Sequence, residues 1–84
     1  MNAKNVYDKT VTYLSKYSPT YKIVEMFEYG NGMYLFTYSD NGKVGYSDPY
    51  IIADETHNPL QYAPMDDMDN FIRALNNPID ISKF

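Results

Sequence analysis

Cysteine and tryptophan are absent from this chain of 84 residues, and histidine occurs once. Without thiols there is no disulfide framework and no thiolate ligand, which excludes a small disulfide-stapled scaffold, a zinc ribbon and a cysteine nucleophile. Long hydrophobic runs are missing too, and the opening Met1-Asn2-Ala3-Lys4-Asn5 is polar. Neither a membrane span nor a signal peptide is expected, so the reading places the protein in the cytoplasm, off the membrane. Basic charge is scarce. Seven Lys and Arg face eleven Asp and Glu, a net charge of -4 that opposes phosphate backbones and argues against direct nucleic-acid binding. Phosphate-binding motifs are lacking as well, because Gly30-Asn31-Gly32 lies between candidate strands rather than ahead of a helix.

What remains is material for one small domain. A chain of this length buries only roughly 60 to 65% of the surface it exposes when unfolded, so its core is thin. Over about 3–17 the positions Ala3, Tyr7, Val11 and Leu14, flanked by Val6, Tyr13 and Tyr17, repeat at helical spacing. Asn2 suits an N-cap, and Ser18-Pro19 ends the helix. Alternation then predicts strands at about 21–29 and 33–39, joined by Gly30-Asn31-Gly32 as a hairpin. In the first, Val24 and Met26 lie on one face and Ile23, Glu25 and Phe27 on the other. In the second, Tyr34, Phe36 and Tyr38 oppose Met33, Leu35 and Thr37.

A tight turn at Asp40-Asn41-Gly42-Lys43 leads to a third strand within about 44–53, interrupted by Asp48-Pro49, and a fourth follows at about 60–63. A second helix is expected at about 66–76, with Met68, Phe71, Ile72 and Leu75 on one side and Asp66, Asp67 and Asp69 at its start. Asn76-Asn77-Pro78 stops it, with asparagine suited to a left-handed cap. The tail, 78–84, alternates apolar and polar residues and either docks or stays loose. The expected fold is an α+β domain in two layers: an N-terminal helix, a three- to four-stranded antiparallel meander and a C-terminal helix, with the helices on one sheet face.

Charge is unevenly distributed. Residues 1–22 carry four lysines against Asp8, a balance of +3, whereas residues 23–72 carry nine carboxylates against Lys43, a balance of -8. Either the basic helix lies over the acidic remainder and neutralises it, or an acidic face awaits a basic partner.

Catalytic chemistry is thinly supplied. His57 sits among turn residues, as an exposed loop histidine would; with Asp54 and Ser47 or Ser39 it completes only the composition of a triad, without a nucleophile elbow. Asp66, Asp67 and Asp69 lack the glycine and distal glutamate of a calcium loop and read as helix-capping carboxylates, and Asp40-Asn41-Gly42 reads as a turn. No catalytic residue, metal or cofactor is expected.

The order of an N-terminal helix, a hairpin with an aromatic second strand, then Asp48-Pro49-Tyr50-Ile51-Ile52-Ala53-Asp54 and a turn, resembles PepSY-type domains and immunity-protein families over roughly Ala3 to Ala63. The chain departs from their usual turn in having no glycine in Asp54-Glu55-Thr56-His57-Asn58. Its tyrosine- and asparagine-rich composition is similar to that of small proteins from phages and mobile elements of low-GC bacteria. The resemblance implies a non-catalytic module that contacts another protein, and carries over no functional residue.

Ten tyrosines are the unusual feature. Tyr7, Tyr34 and Tyr38 are expected at the helix–sheet boundary, and the remaining rings exceed what a thin core hides. The expected function is an inhibitor or adaptor of a protein partner, touching it through Tyr29, Tyr46 and Tyr50, with Ile79, Ile81 and Phe84 as a strand for edge pairing. The alternatives are a self-associating structural subunit sealed by the same residues and, more weakly, an acidic mimic of nucleic acid.

Overall fold

In a computed structural model that describes residues 3–41 and 49–84, helix α1 (Ala3–Ser15) precedes strands β1 (Tyr21–Gly30), β2 (Met33–Asp40), β3 (Tyr50–Ala53) and β4 (Leu60–Tyr62). Helix α2 (Met68–Leu75) and a two-residue strand β5 (Pro78–Ile79) follow, with short 3₁₀ turns at Pro64–Asp66 and Ile81–Lys83. Asn2 and the residues Gly42 to Asp48, which include Tyr46 and much of the expected third strand, lie outside the described residues. The α+β class and the order helix, antiparallel sheet, helix stand as read.

The sheet has five strands, in the order β4-β3-β2-β1-β5, one more than expected because the tail contributes β5. Met26 pairs with Ile79 and Phe27 with Pro78, while Glu28 N–H donates to Asn77 O at 2.9 Å. Proline is tolerated there because an edge strand needs no donor on its outer side. The β1–β2 turn places Asn31 and Gly32 at φ 54° and 78°, the left-handed pair that an Asn-Gly hairpin supplies at low steric cost.

The helices lie on opposite faces of the sheet, so the expected two layers with both helices on one side give way to a helix–sheet–helix arrangement. On the first face Val6 and Leu14 of α1 pack on Met26, Tyr34, Phe36, Ile51 and Ala53. On the second, Ala74 and Phe71 of α2 pack with Phe27, Leu35, Tyr50 and Ile52. The cause is legible in β2, where Tyr34, Leu35, Phe36 and Thr37 are buried in succession. Strands apolar at consecutive positions need cover on both sides.

A register shift between Ile23 and Glu25 corrects the alternation read for β1. The bulge at Val24 brings Ile23 to the same cluster as Met26, leaving Glu25 and Phe27 on the α2 face. Tyr7, Tyr34 and Tyr38 pack in the α1-side core, where they were expected. The α2 terminus departs from the expected left-handed cap, since Asn76 has φ -84° and ψ 1°. Its amide side chain donates to Ile72 O at 3.3 Å and that of Asn77 to Arg73 O at 2.9 Å, so side chains satisfy the final carbonyls instead.

Phe36 is fully enclosed at the centre of the sheet. Phe36→Ala is expected to cost about 3–5 kcal/mol, read from the denaturation midpoint, a large share of the ~5–15 kcal/mol that stabilises a typical domain.

Candidate functional site

The polar feature that orders the α2 side is the carboxylate of Asp67, just ahead of the helix. It accepts from the phenol of Tyr29 on β1 at 2.6 Å, from the phenol of Tyr62 on β4 at 2.8 Å and from Asn70 Nδ2 at 2.8 Å. Asp67 occupies the N-cap position, yet its side chain makes no capping bond, because the two phenols converge on it instead. The helix begins through its main chain, Phe71 N–H donating to Asp67 O at 2.9 Å. One turn further on, Arg73 Nη2 donates to Tyr29 O at 3.0 Å and its guanidinium lies 5.9 Å from the centre of the Tyr29 ring.

These bonds set the local proton affinities. Hydrogen bonds from Tyr29, Asn70 and Tyr62 hold the Asp67 carboxyl below its ordinary range. The Tyr29 phenol is raised chiefly by its bond to Asp67, and the Tyr62 phenol first by burial and then by the same carboxylate. The rings also touch edge to face, Tyr29 with Tyr62 at 6.0 Å and Tyr50 with Phe71 at 5.0 Å. The cluster pins the start of α2 to β1 and β4 at once.

At the β3–β4 end Asp54 forms an Asx turn. Its Oδ1 accepts from Thr56 N–H at 2.9 Å and His57 N–H at 2.8 Å, and His57 Nδ1 lies 3.1 Å from both carboxylate oxygens. From α1, Lys9 Nζ donates to Asp54 O at 3.1 Å and also to His57 O, tying the turn to the helix. The bonds from His57 and Thr56 lower the Asp54 pKa to about 2. His57 and Asp54 thus meet, but the nearby Thr56 hydroxyl, 3.0 Å from Nδ1, competes for the same ring nitrogen as the carboxylate. A triad needs the two on different nitrogens. Ser39 lies five residues along β2 from Tyr34, the partner of Ala53, and so about 17 Å away at the rise of a strand. Its Oγ is buried without a partner among the described residues, and Ser47 lies outside them. No three His, Asp or Glu side chains come together as a metal site among the described residues.

The residues expected at a partner interface are dispersed. Tyr29 and Tyr50 are half-buried against α2, and Tyr46 lies outside the described residues. Ile79, Ile81 and Phe84 are a correction: the tail is spent on this chain's own β1 and α1-side core, with the Phe84 ring 5.2 Å from Tyr7. It holds the domain together and offers no spare strand. Among the described residues Tyr17 and Tyr21 are the exposed tyrosine rings, beside Tyr13 and Tyr38 at a cleft of about 210 Å³. That volume is below the ~300–1,000 Å³ of ordinary small-molecule pockets.

The exposed apolar surface lies elsewhere. Met68, Ile72 and Leu75, at 46%, 51% and 37% exposure, form one flank of α2, with Met65 at 86% just before it and Leu60 at 66% on β4. The spacing put Met68, Phe71, Ile72 and Leu75 on one apolar side of this helix; of these Phe71 packs on the sheet, and the other three are exposed. The seat is Ala74 with Phe71, on the side of the helix from which Asp67 and Asn70 also meet the sheet-side phenols and each other.

Compared with protein-family models, curated proteins and solved structures, the chain matches none. No helix among the described residues is long and apolar enough to cross a membrane.

Tyr62→Phe, which removes one phenol from Asp67 and keeps the ring, is expected to lower stability by about 1 kcal/mol in chemical denaturation. The Asp54 carboxyl is expected to titrate near its lowered pKa of about 2 by carbon NMR. Because its folded pKa lies below the unfolded value, the stabilisation it gives is complete above the ordinary carboxylate range and is lost as pH falls toward 2. Asp54→Asn should remove that part of the acid sensitivity.

Proposed function

We propose that the protein is a small non-catalytic module that binds a protein partner through the open flank of α2. The observation that carries this reading is the row of exposed apolar side chains on one helix: Met68, Ile72 and Leu75 stand at helical spacing on α2, with the exposed Met65 just before it. Scattered apolar residues are normal on a surface, whereas grouped ones mark contact sites. Two of these four are methionines, whose unbranched chains adapt to a partner's shape. Inhibition or adaptation of that partner follows from occupancy alone and calls on no reactive group.

The acidic-mimic reading loses ground because Asp54 and Asp67 are engaged in internal hydrogen bonds rather than displayed.

A double variant, Met68→Ser with Ile72→Ser, is expected to keep the parent circular-dichroism spectrum and to lose a partner that the parent retains in affinity capture from the native host. Equal recovery of every retained protein by parent and variant would defeat the proposed surface.

A further inference from the structure

On the α1 side of the sheet, away from the α2 flank, four tyrosines converge on one cleft. Tyr13 stands in the last turn of α1 and Tyr17 just past its end, Tyr21 opens β1, and Tyr38 lies near the end of β2; all four line the cleft of about 210 Å³. Within each pair the rings are inclined rather than stacked. Tyr13 and Tyr17 meet at 5.3 Å and 62°, and Tyr21 and Tyr38 at 5.3 Å and 59°. Tyr17 and Tyr21 keep ring surface open to solvent, while the buried Leu14 and Ile51 complete the lining below them. We infer that this cleft is a binding site for a methylated ammonium ion, held by cation–π attraction to the tyrosine rings.

The lining sets the chemistry of the ligand. None of the residues that line the cleft is charged, so an anion finds no ion-pair partner there, and a metal ion or bare ammonium finds no carboxylate to replace its water. The face of an aromatic ring is electron-rich and attracts a cation, most strongly one that gives up its water readily. A trimethylammonium group meets both conditions, because its charge is spread under an apolar surface of methyl groups. The phenol oxygens lie close to one another: Tyr17 Oη donates to Tyr13 Oη at 3.2 Å. That bond, followed by burial, raises the Tyr13 phenol, and burial followed by the proximity of Tyr21 and Tyr17 raises the Tyr38 phenol. Both stay protonated at neutral pH, and their rings are neutral partners for the ion.

Charges of both signs stand nearby. Tyr21 faces Asp40 across the β1–β2 pair, and Tyr38 two residues before Asp40 packs in the α1-side core, so the exposed Asp40 leaves the sheet on the face of the cleft. Lys22, next along β1, belongs by alternation to the other face. Lys16 is exposed beside Tyr17 in the chain and does not line the cleft. Asp40 offers the ligand a counter-charge, Lys16 opposes it, and the rings decide the affinity. The volume, below that of ordinary small-molecule pockets, suits a single head group rather than a whole cofactor.

Such a head group is carried by free choline-like molecules and by trimethylated lysine side chains. The test uses the whole chain, labelled with nitrogen-15, titrated with choline, with its neutral carbon isostere 3,3-dimethyl-1-butanol, and with trimethyl-lysine amide. The expected result is saturable amide shifts concentrated at the residues lining the cleft, with at least one of the two cations bound about tenfold or more tighter than the isostere. Tyr17→Leu with Tyr21→Leu, both at exposed rings, should keep the parent circular-dichroism spectrum and weaken binding by about tenfold or more. Tyr17→Phe, which keeps the ring, should bind within about threefold of the parent. Preference for choline makes a free small molecule the source, and preference for trimethyl-lysine amide a modified peptide; either supports the site. Equal binding of the neutral isostere overturns the cation assignment. Unchanged binding by the double leucine variant overturns the location, and the absence of saturable shifts at the cleft with every probe overturns the site itself.

Discussion

Four consecutive buried residues on β2, Tyr34 to Thr37, impose the constraint from which the rest of the structure follows. Full burial of one large apolar side chain is worth about 1.5–3 kcal/mol, so a strand with Tyr34, Leu35 and Phe36 in succession cannot leave either side to water. The chain has two helices with which to meet that demand. α1, of 13 residues, supplies Val6, Thr10 and Leu14 to one face, and the tail completes the cover with Ile79, Ile81 and Phe84. The other face receives only α2, eight residues and about 12 Å long, too short to be stable by itself.

α2 therefore depends on being fastened. Asp67 gathers phenols from β1 and β4, and Arg73 reaches the Tyr29 carbonyl, so the helix is held at both ends of its seat. The small Ala74 is placed against the sheet and Ile72 and Met68 are left at the side. A short helix thus seats Phe71 and Ala74 on the sheet, is fastened by polar bonds at both ends, and leaves Met68, Ile72 and Leu75 along an open flank.

The two-sided architecture spreads both signs of charge over both sides of the sheet. Beside the lysines of α1 lie Asp8 and, near Tyr34, Glu28 and Glu55, while Lys22 shares the α2 face with Glu25. Lys9 serves main-chain carbonyls, which fixes the Asp54 turn without removing negative charge from the surface.

The α+β class, the two helices and the β1–β2 hairpin were legible in the residues, because helical spacing, strand alternation and the Asn31-Gly32 turn are local physics. So were the boundary positions of Tyr7, Tyr34 and Tyr38. The side on which each helix packs was less so: the unbroken apolar run of β2 announces two-faced burial, but periodicity arguments look for one face. Only the tertiary structure decided that the tail pairs with β1, that the bulge at Val24 shifts the alternation, and that Asp67 serves two phenols rather than its own helix. It also turned Tyr29 and Tyr50 inward and the α2 stripe outward. Each of these depends on groups far apart in the chain competing for one partner, and the outcome of that competition is set by distances that spacing along the sequence does not encode.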